Sequence, residues 1–313
     1  MAQFEQLISA NKRNSVFLVI CFILFICVLG GVLGWALLGE WWMAIPSIAL
    51  ALVVSSISAI VGYYAGPSAV LAMSGARAIS KEDDPQLYNI VEELCLASGL
   101  PMPALYVMDT PAMNAFATGR DPQHAAVAVT SGLRQRLGRD ELQGVLAHEL
   151  SHVRNLDTRF MTLMAVLVGV VVLIADIGMR SVFYGGRRSG GRDSGGGGLQ
   201  IVIIVVALLL AIIAPIFAKL IQLAVSRQRE YLADASAARM TRYPEGLARA
   251  LEALAADTEP MPSASRATSH LFIVQPLMAS GRRAASSGES VWSSHPPIEE
   301  RVARLRSLGN TEG

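Results

Sequence analysis

The chain has 313 residues, 52% of them hydrophobic and 16% charged, with a mean hydropathy of +0.44. This is the profile of a membrane protein and argues against an ordinary soluble one. A net charge of +1 offers no basic stripe for nucleic acid, and three cysteines cannot build a disulfide framework.

No charged residue falls between Asn14 and Leu38, a span long enough for one helical crossing of a bilayer. A second uncharged stretch runs from Trp41 to Ala76, and Trp35, Trp41, Trp42, Tyr63 and Tyr64 stand where interfacial aromatics belong. With no small-residue cleavage site behind a short apolar region, the first segment reads as an anchor and not as a removed signal. Cys21 and Cys27 lie inside the apolar run. Cys95 falls on the apolar positions of a helical pattern with Leu87, Ile90, Val91 and Leu94, so all three read as small hydrophobes.

Globular sequence follows from Arg77 to about Asp157. "DDPQLYNIVEELCLASGLP" predicts an amphipathic helix with Asp84 as N-cap, Pro85 at its first position and Gly99 at its end. "ALYVMD", "NAFATG" and "HAAVAVTSG" are short, alternating and bounded by turns, which predicts three strands. "GRDELQGVLAHELSHVRN" predicts a helix capped by Asp140, with Gln143 three residues on, ending near Asn155. Apolar runs return at Phe160 to Ala175 and Leu199 to Ala218, joined by the flexible "GGRRSGGRDSGGGG". The last run continues without a breaker into "KLIQLAVSRQREYLADASAARM", as one long helix leaving the membrane, and globular sequence resumes at Thr241.

Four units result: a two-helix membrane anchor at 1–76, a first catalytic part at 77–157, a transmembrane hairpin at 158–226 and a second catalytic part at 227–313. The expected fold class is α+β and mostly helical. An active helix and a small sheet sit on one face of a membrane crossed by four hydrophobic helices.

The chemistry concentrates in "HELSH". His148 and His152 are four apart, so on a helix both imidazoles project from one face, one turn apart. Two neutral imidazoles suit zinc, and a catalytic zinc site needs a third protein ligand and an open position for water. Glu149 beside them is placed to be the general base. The competing reading is a solvated helix face that happens to carry two histidines. The third ligand could come from His124, His270, His295 or a carboxylate. "SRQREYLADASAA" is the best source, because Glu230 and Asp234 are also four apart on a predicted helix. Glu230 would complete a His, His, Glu set, and Asp234 would accept a hydrogen bond from the far nitrogen of a ligating histidine. Taken alone, that acidic pair beside Arg227 and Arg229 would read as a solvated face. Imidazole and carboxylate ligands also accept divalent metals other than zinc.

The ligand set constrains topology. His148 precedes the third apolar run and Glu230 follows the fourth, so the two share a side only if both runs cross or neither does. Lys12, Arg13, Arg77 and Lys81 mark that side as positive against the lone Glu40, which places it in the cytoplasm. The glycine loop disagrees, since it would carry Arg180, Arg187, Arg188 and Arg192 outward.

The sequence resembles the HtpX family of bacterial membrane-bound zinc metalloproteases, relatives of the CAAX prenyl proteases. The resemblance rests on "MNAFATG", "HAAVAVTSGL", "LAHELSHVRNLD", "SRQREYLADASAA", "HLFIVQPL" and "SSHPPIEERVARL", in the family's order from Pro103 to Leu305. It implies one Zn2+ per chain held by His148, His152 and Glu230 in a zincin-type domain, with Glu149 as base. It further implies endopeptidase action on misfolded or damaged membrane proteins and other unfolded polypeptides. The resemblance places this action in stress-linked quality control at the bacterial inner (cytoplasmic) membrane, often including self-cleavage. It makes Asn114, Ala115, Phe116 and Ala117 an edge strand that pairs with substrate, against the plainer reading of a sheet edge. It makes His295 a catalytic group that stabilises the oxyanion, with Arg301 in support. Locally, His295 and its two prolines also read as a helix start with Glu299 and Glu300 in its first turn. His124 and His270 read as structural or exposed. The alternative function is a zinc-containing membrane scaffold or chaperone that binds exposed segments without cleaving them, which would have no use for Glu149. A transporter would carry ionisable groups inside its apolar runs, and these runs lack them.

Overall fold

Two long helices, α1 (Ala2–Leu38) and α2 (Ala44–Met73), open the chain as an antiparallel hairpin in the computed structural model, which describes residues 2–38, 40–167, 169–171, 227–261, 268–276 and 296–309. α1 begins well before the uncharged run, and its N-terminal turns carry Lys12 and Arg13. Glycines form the seam: a Cβ on Gly30 would stand 2.6 Å from the Ala51 Cβ, so the two helices approach as closely as small residues allow. Ser9–Trp35 and Trp41–Met73 are long and apolar enough to cross a membrane, and only 17% of each apolar window is buried. That low burial sets them apart from the core helices of a soluble protein. Val16, Phe17, Ile20, Leu24, Ile57 and Ile60 point outward.

Arg120 stacks on the Tyr64 ring at 5.2 Å and Arg159 on the Tyr63 ring at 5.8 Å. The last turns of α2 therefore rise past this aromatic level, and Val70 and Leu71 enter the core of the domain that follows.

Among the described residues, that domain is built on a four-stranded mixed sheet of order β1-β2-β4-β3, with β1 (Ala76–Ala78), β2 (Ala104–Met108), β3 (Ala115–Gly119) and β4 (Ala125–Thr130). β2 and β4 are parallel, and the other two pairs are antiparallel. The three strands expected from alternation are present, and the period of two explains how the sheet is buried on both faces. Ala115, Ala117, Val127 and Val129 pack into one apolar cluster, while Phe116, Ala126 and Ala128 pack into another with Val70, Leu71, Met161 and Phe272.

α3 (Pro85–Ser98) starts and ends as its sequence predicts. The Asp84 side chain accepts from the Leu87 N–H at 3.0 Å, and Gly99 closes the helix at φ 71°. Cys95 is buried among apolar neighbours. α4 (Ser131–Arg136) leads to the active helix α5 (Arg139–Arg154), whose cap differs from expectation. Gly138 is the N-cap, and Glu141, not Gln143, reaches back to its N–H at 2.6 Å. Asp140 instead lies in the first turn, where its charge favours the helix N-terminus. α5 packs tightly on α8 (Pro244–Ala256) because Gly144 has no side chain: a Cβ there would meet the Leu247 backbone at 2.7 Å.

A helix over 157–167 (α6), continuing at 169–171, begins the third apolar run. Phe160, Leu163, Met164 and Leu167 pack against Leu18, Phe22 and Ile26 of α1. The rest of that run, the glycine-rich loop and the fourth run lie outside the described residues, so the described residues contain two candidate membrane helices. Among the described residues, α7 (Arg227–Thr241) and α9 (Ile298–Gly309) also belong to the domain.

Candidate metal centre

Three helices meet at the site. α5 contributes His148, Glu149 and His152, α7 contributes Glu230 and Asp234, and α9 contributes Arg301, all of them buried. The Nε2 atoms of His148 and His152 face each other at 3.1 Å. Glu230 lies across from them, its Oε1 3.5 Å from His152 Nε2 and its Oε2 3.8 Å from His148 Nε2. One donor atom from each of the three falls within 4.8 Å of the others. Ions bound at roughly 2.0–2.1 Å by imidazole and carboxylate bring such donors within this range, so the set fits zinc.

Each histidine is aimed by a carboxylate on its far nitrogen. His148 Nδ1 lies 3.0 Å from Asp234 Oδ1, and His152 Nδ1 lies 3.0 Å from Asp157 Oδ2. Both imidazoles thereby turn their Nε2 atoms to the centre. Burial pulls His148 down to about 4, against the help of Asp234. Burial also opposes charge on His152, but Asp157 and Glu230 outweigh it and raise that ring to about 9. Arg301 grips Asp234 with two bonds, Nε to Oδ2 at 2.9 Å and Nη2 to Oδ1 at 2.7 Å, and its Nη1 lies 3.4 Å from Glu230 Oε2. Arg301 and His148 together overcome burial and hold the Asp234 carboxyl down at about 2.

Glu149 is 2% exposed, and burial raises its carboxyl to about 7, with His152 and the Ala117 backbone pulling against that. A carboxylate near neutrality is poised to accept and return a proton.

The structure brings together His148, Glu149, His152, Glu230, Asp234 and Arg301. His295 lies outside the described residues. His124 is half exposed and paired with Asp121 at 2.6 Å, and His270 is buried with its Nε2 3.3 Å from the Met161 carbonyl. Neither joins the centre. Asn114, Ala115, Phe116 and Ala117 lie at or just before β3, the outer strand, but its open edge already has an occupant. Ile273 N–H donates to the Ala115 carbonyl at 3.0 Å, Phe272 bridges Phe116, and the Asn114 amide donates to the Val274 carbonyl at 2.8 Å. Arg301 Nη1 reaches the Ile273 carbonyl at 3.5 Å.

Sequence reasoning counted "HLFIVQPL" among the family's pieces but gave this segment no role, and it gave none to Asp157. The aspartate stood in plain view five residues after His152. What hid its role is the break after α5, where Leu156 takes φ 59° and turns the chain so that Asp157 faces back to the histidine.

A helix-borne pair of histidines, a distant glutamate ligand and a buried glutamate between them define a metallopeptidase of the His-His-Glu class. The sequence pattern of peptidase family M48 matches residues 81–309. A protease HtpX homolog of Dictyoglomus turgidum is 42% identical over 309 residues, covering 98% of this chain and 95% of its own. One from Streptococcus uberis is 41% identical over 303 residues, covering 97% and 99%. The crystal structure of S. mikatae Ste24p is similar at 19% identity and a TM-score of 0.48, covering 96% of this chain and 66% of that one. The chain belongs to peptidase family M48 and is a zinc metallopeptidase homologous to the HtpX proteases.

Proposed function

We propose that the chain is a membrane-integral zinc endopeptidase of the bacterial inner membrane. In this reading it crosses four times, faces its site to the cytoplasm and cuts misfolded or damaged membrane proteins where they leave the lipid. An even number of crossings follows from His148 and Glu230 meeting on one side, and the cluster of Lys12, Arg13, Arg77 and Lys81 supports the cytoplasm as that side.

His148, His152 and Glu230 would hold a single zinc. When bound, zinc supplies Lewis acidity, polarising the scissile carbonyl and acidifying water. Glu149 takes the proton from the attacking water and passes it to the leaving amine. Asp234 and Asp157 keep the two imidazoles in the tautomer that directs Nε2 inward, and Arg301 locks Asp234 while its charge favours a developing oxyanion. His295 is assigned to the same oxyanion. The substrate backbone takes the edge of β3 as an added strand, in the positions that residues 272–274 hold, and must displace them.

The observation that carries this reading is the convergence of Glu230 on two histidines from another part of the chain, with the raised Glu149 carboxyl buried beside them. Its test is Glu149→Gln in the full-length protein. Cleavage of a membrane-protein substrate should fall by about 10²–10⁴ while zinc content is unchanged. Undiminished turnover would remove the base and favour a binding-only scaffold.

A further inference from the structure

Asn11 lies on α1, in the segment that enters the membrane, and it is 0% exposed. Its Nδ2 donates to Asp157 Oδ1 at 2.6 Å and to the Asn155 carbonyl at 2.8 Å. Asn155 lies in the break between α5 and α6, and Asp157 is the first residue of α6. The other oxygen of the same carboxylate, Asp157 Oδ2, faces His152 Nδ1 at 3.0 Å. Arg229 approaches Oδ1 less closely, at 3.8 Å. An unbroken chain of hydrogen bonds therefore runs from the membrane anchor to the back of a metal-ligand ring.

Burying an asparagine is costly, and here only half of its capacity is used, because Asn11 Oδ1 finds no partner among the described residues. A leucine would fill the same space without that cost. What the amide adds is its grip on the carboxylate and on the carbonyl beside it. A carboxylate with one oxygen on an imidazole is still free to swing about its χ angles, and a donor on the second oxygen removes that freedom. The link is also non-local, spanning 146 residues of sequence, so it ties the position of α1 to the aim of His152.

We infer that Asn11 is a positioning residue of the metal centre: through Asp157 it sets the orientation of His152, so that the first membrane helix forms part of the zinc site's support. This rests on the reading of His148, His152 and Glu230 as zinc ligands.

The experiment uses the full-length protein in detergent and reads zinc affinity by chelator competition, together with the visible spectrum of the cobalt(II)-loaded protein. Asn11→Leu keeps the bulk and removes the donor. Zinc binding should weaken roughly three- to tenfold, the mild side of the effect of groups bonded directly to a ligand, and the cobalt bands should shift. In an Asp157→Ala background the same substitution should change neither readout, because its route to His152 is already cut. Ser15→Ala, one turn along α1, removes a buried bond to the Asn11 carbonyl without touching Asp157 and should leave both readouts as in the parent. Asn11→Ser provides a second donor-shortening variant should the leucine protein fail to accumulate. The inference is overturned if Asn11→Leu and Asn11→Ser bind zinc as the parent does with an unshifted spectrum, or if they weaken it equally with and without Asp157. A parent protein that takes up no zinc would instead bring down the ligand assignment, and this inference with it.

Discussion

At the scale of single residues, the centre is a set of buried charges that tolerate one another because each has a partner. Arg301, fully buried, is held in its charged form by Asp234 and Glu230. The raised His152 gives a sign to the pH dependence of metal uptake. Below about 9 that ring carries a proton which an incoming zinc must displace, so protons compete with the metal as pH falls. Zinc affinity should climb by about tenfold per pH unit from roughly pH 6 to 8, measured by competition at fixed ionic strength. An affinity that is flat over that interval would show that no proton leaves with binding. The residues of this centre were unevenly legible. His148, Glu149 and His152 announce themselves by spacing, and Glu230 and Asp234 by a second i, i+4 pair. Asp157 and Asn11 carry no such signal, since one depends on a left-handed turn at Leu156 and the other on a tertiary contact between distant segments.

At the scale of elements, periodicity carried most of the information. Capping residues placed the ends of α3, and alternation placed β2, β3 and β4. The start of α5 was misplaced because Asp140 is a better cap by residue type than Gly138, yet the turn from α4 brings glycine to that position. The pairing of residues 272–274 with β3 was illegible, although "HLFIVQPL" stood among the family's pieces, because one bridge and a few hydrogen bonds leave no pattern in sequence. Its location on the sheet edge predicts a gain of function. Ile273→Pro removes the N–H that donates to Ala115, worth about 1 kcal/mol, so kcat/KM for an unstructured peptide should rise roughly fivefold. A fall in kcat/KM without loss of zinc would mean that the segment builds the site and does not cover it.

At the scale of the whole molecule, the anchor and the hydrolytic domain are one packed unit. α1 supports α6 through Leu18 and Phe22, and α2 runs on into the core beneath the sheet. The proposed orientation places Ser80 and Glu40 at opposite ends of the hairpin, both exposed. In a chain stripped of its own cysteines, Ser80→Cys should be labelled by an impermeant thiol reagent only after the cytoplasmic side is opened, and Glu40→Cys from outside intact cells. The reverse pattern would invert the topology. That four apolar runs exist was plain from composition. Which of them cross was constrained only indirectly, by the need to unite His148 with Glu230.

The most direct measurement of that union is metal content by elemental analysis of the purified full-length chain and its Glu230→Ala variant. The account predicts about one zinc per chain in the parent and little or none in the variant at equal chelator exposure. Full zinc retained by Glu230→Ala would contradict it, since the helix bearing residue 230 would then have no part in holding the metal.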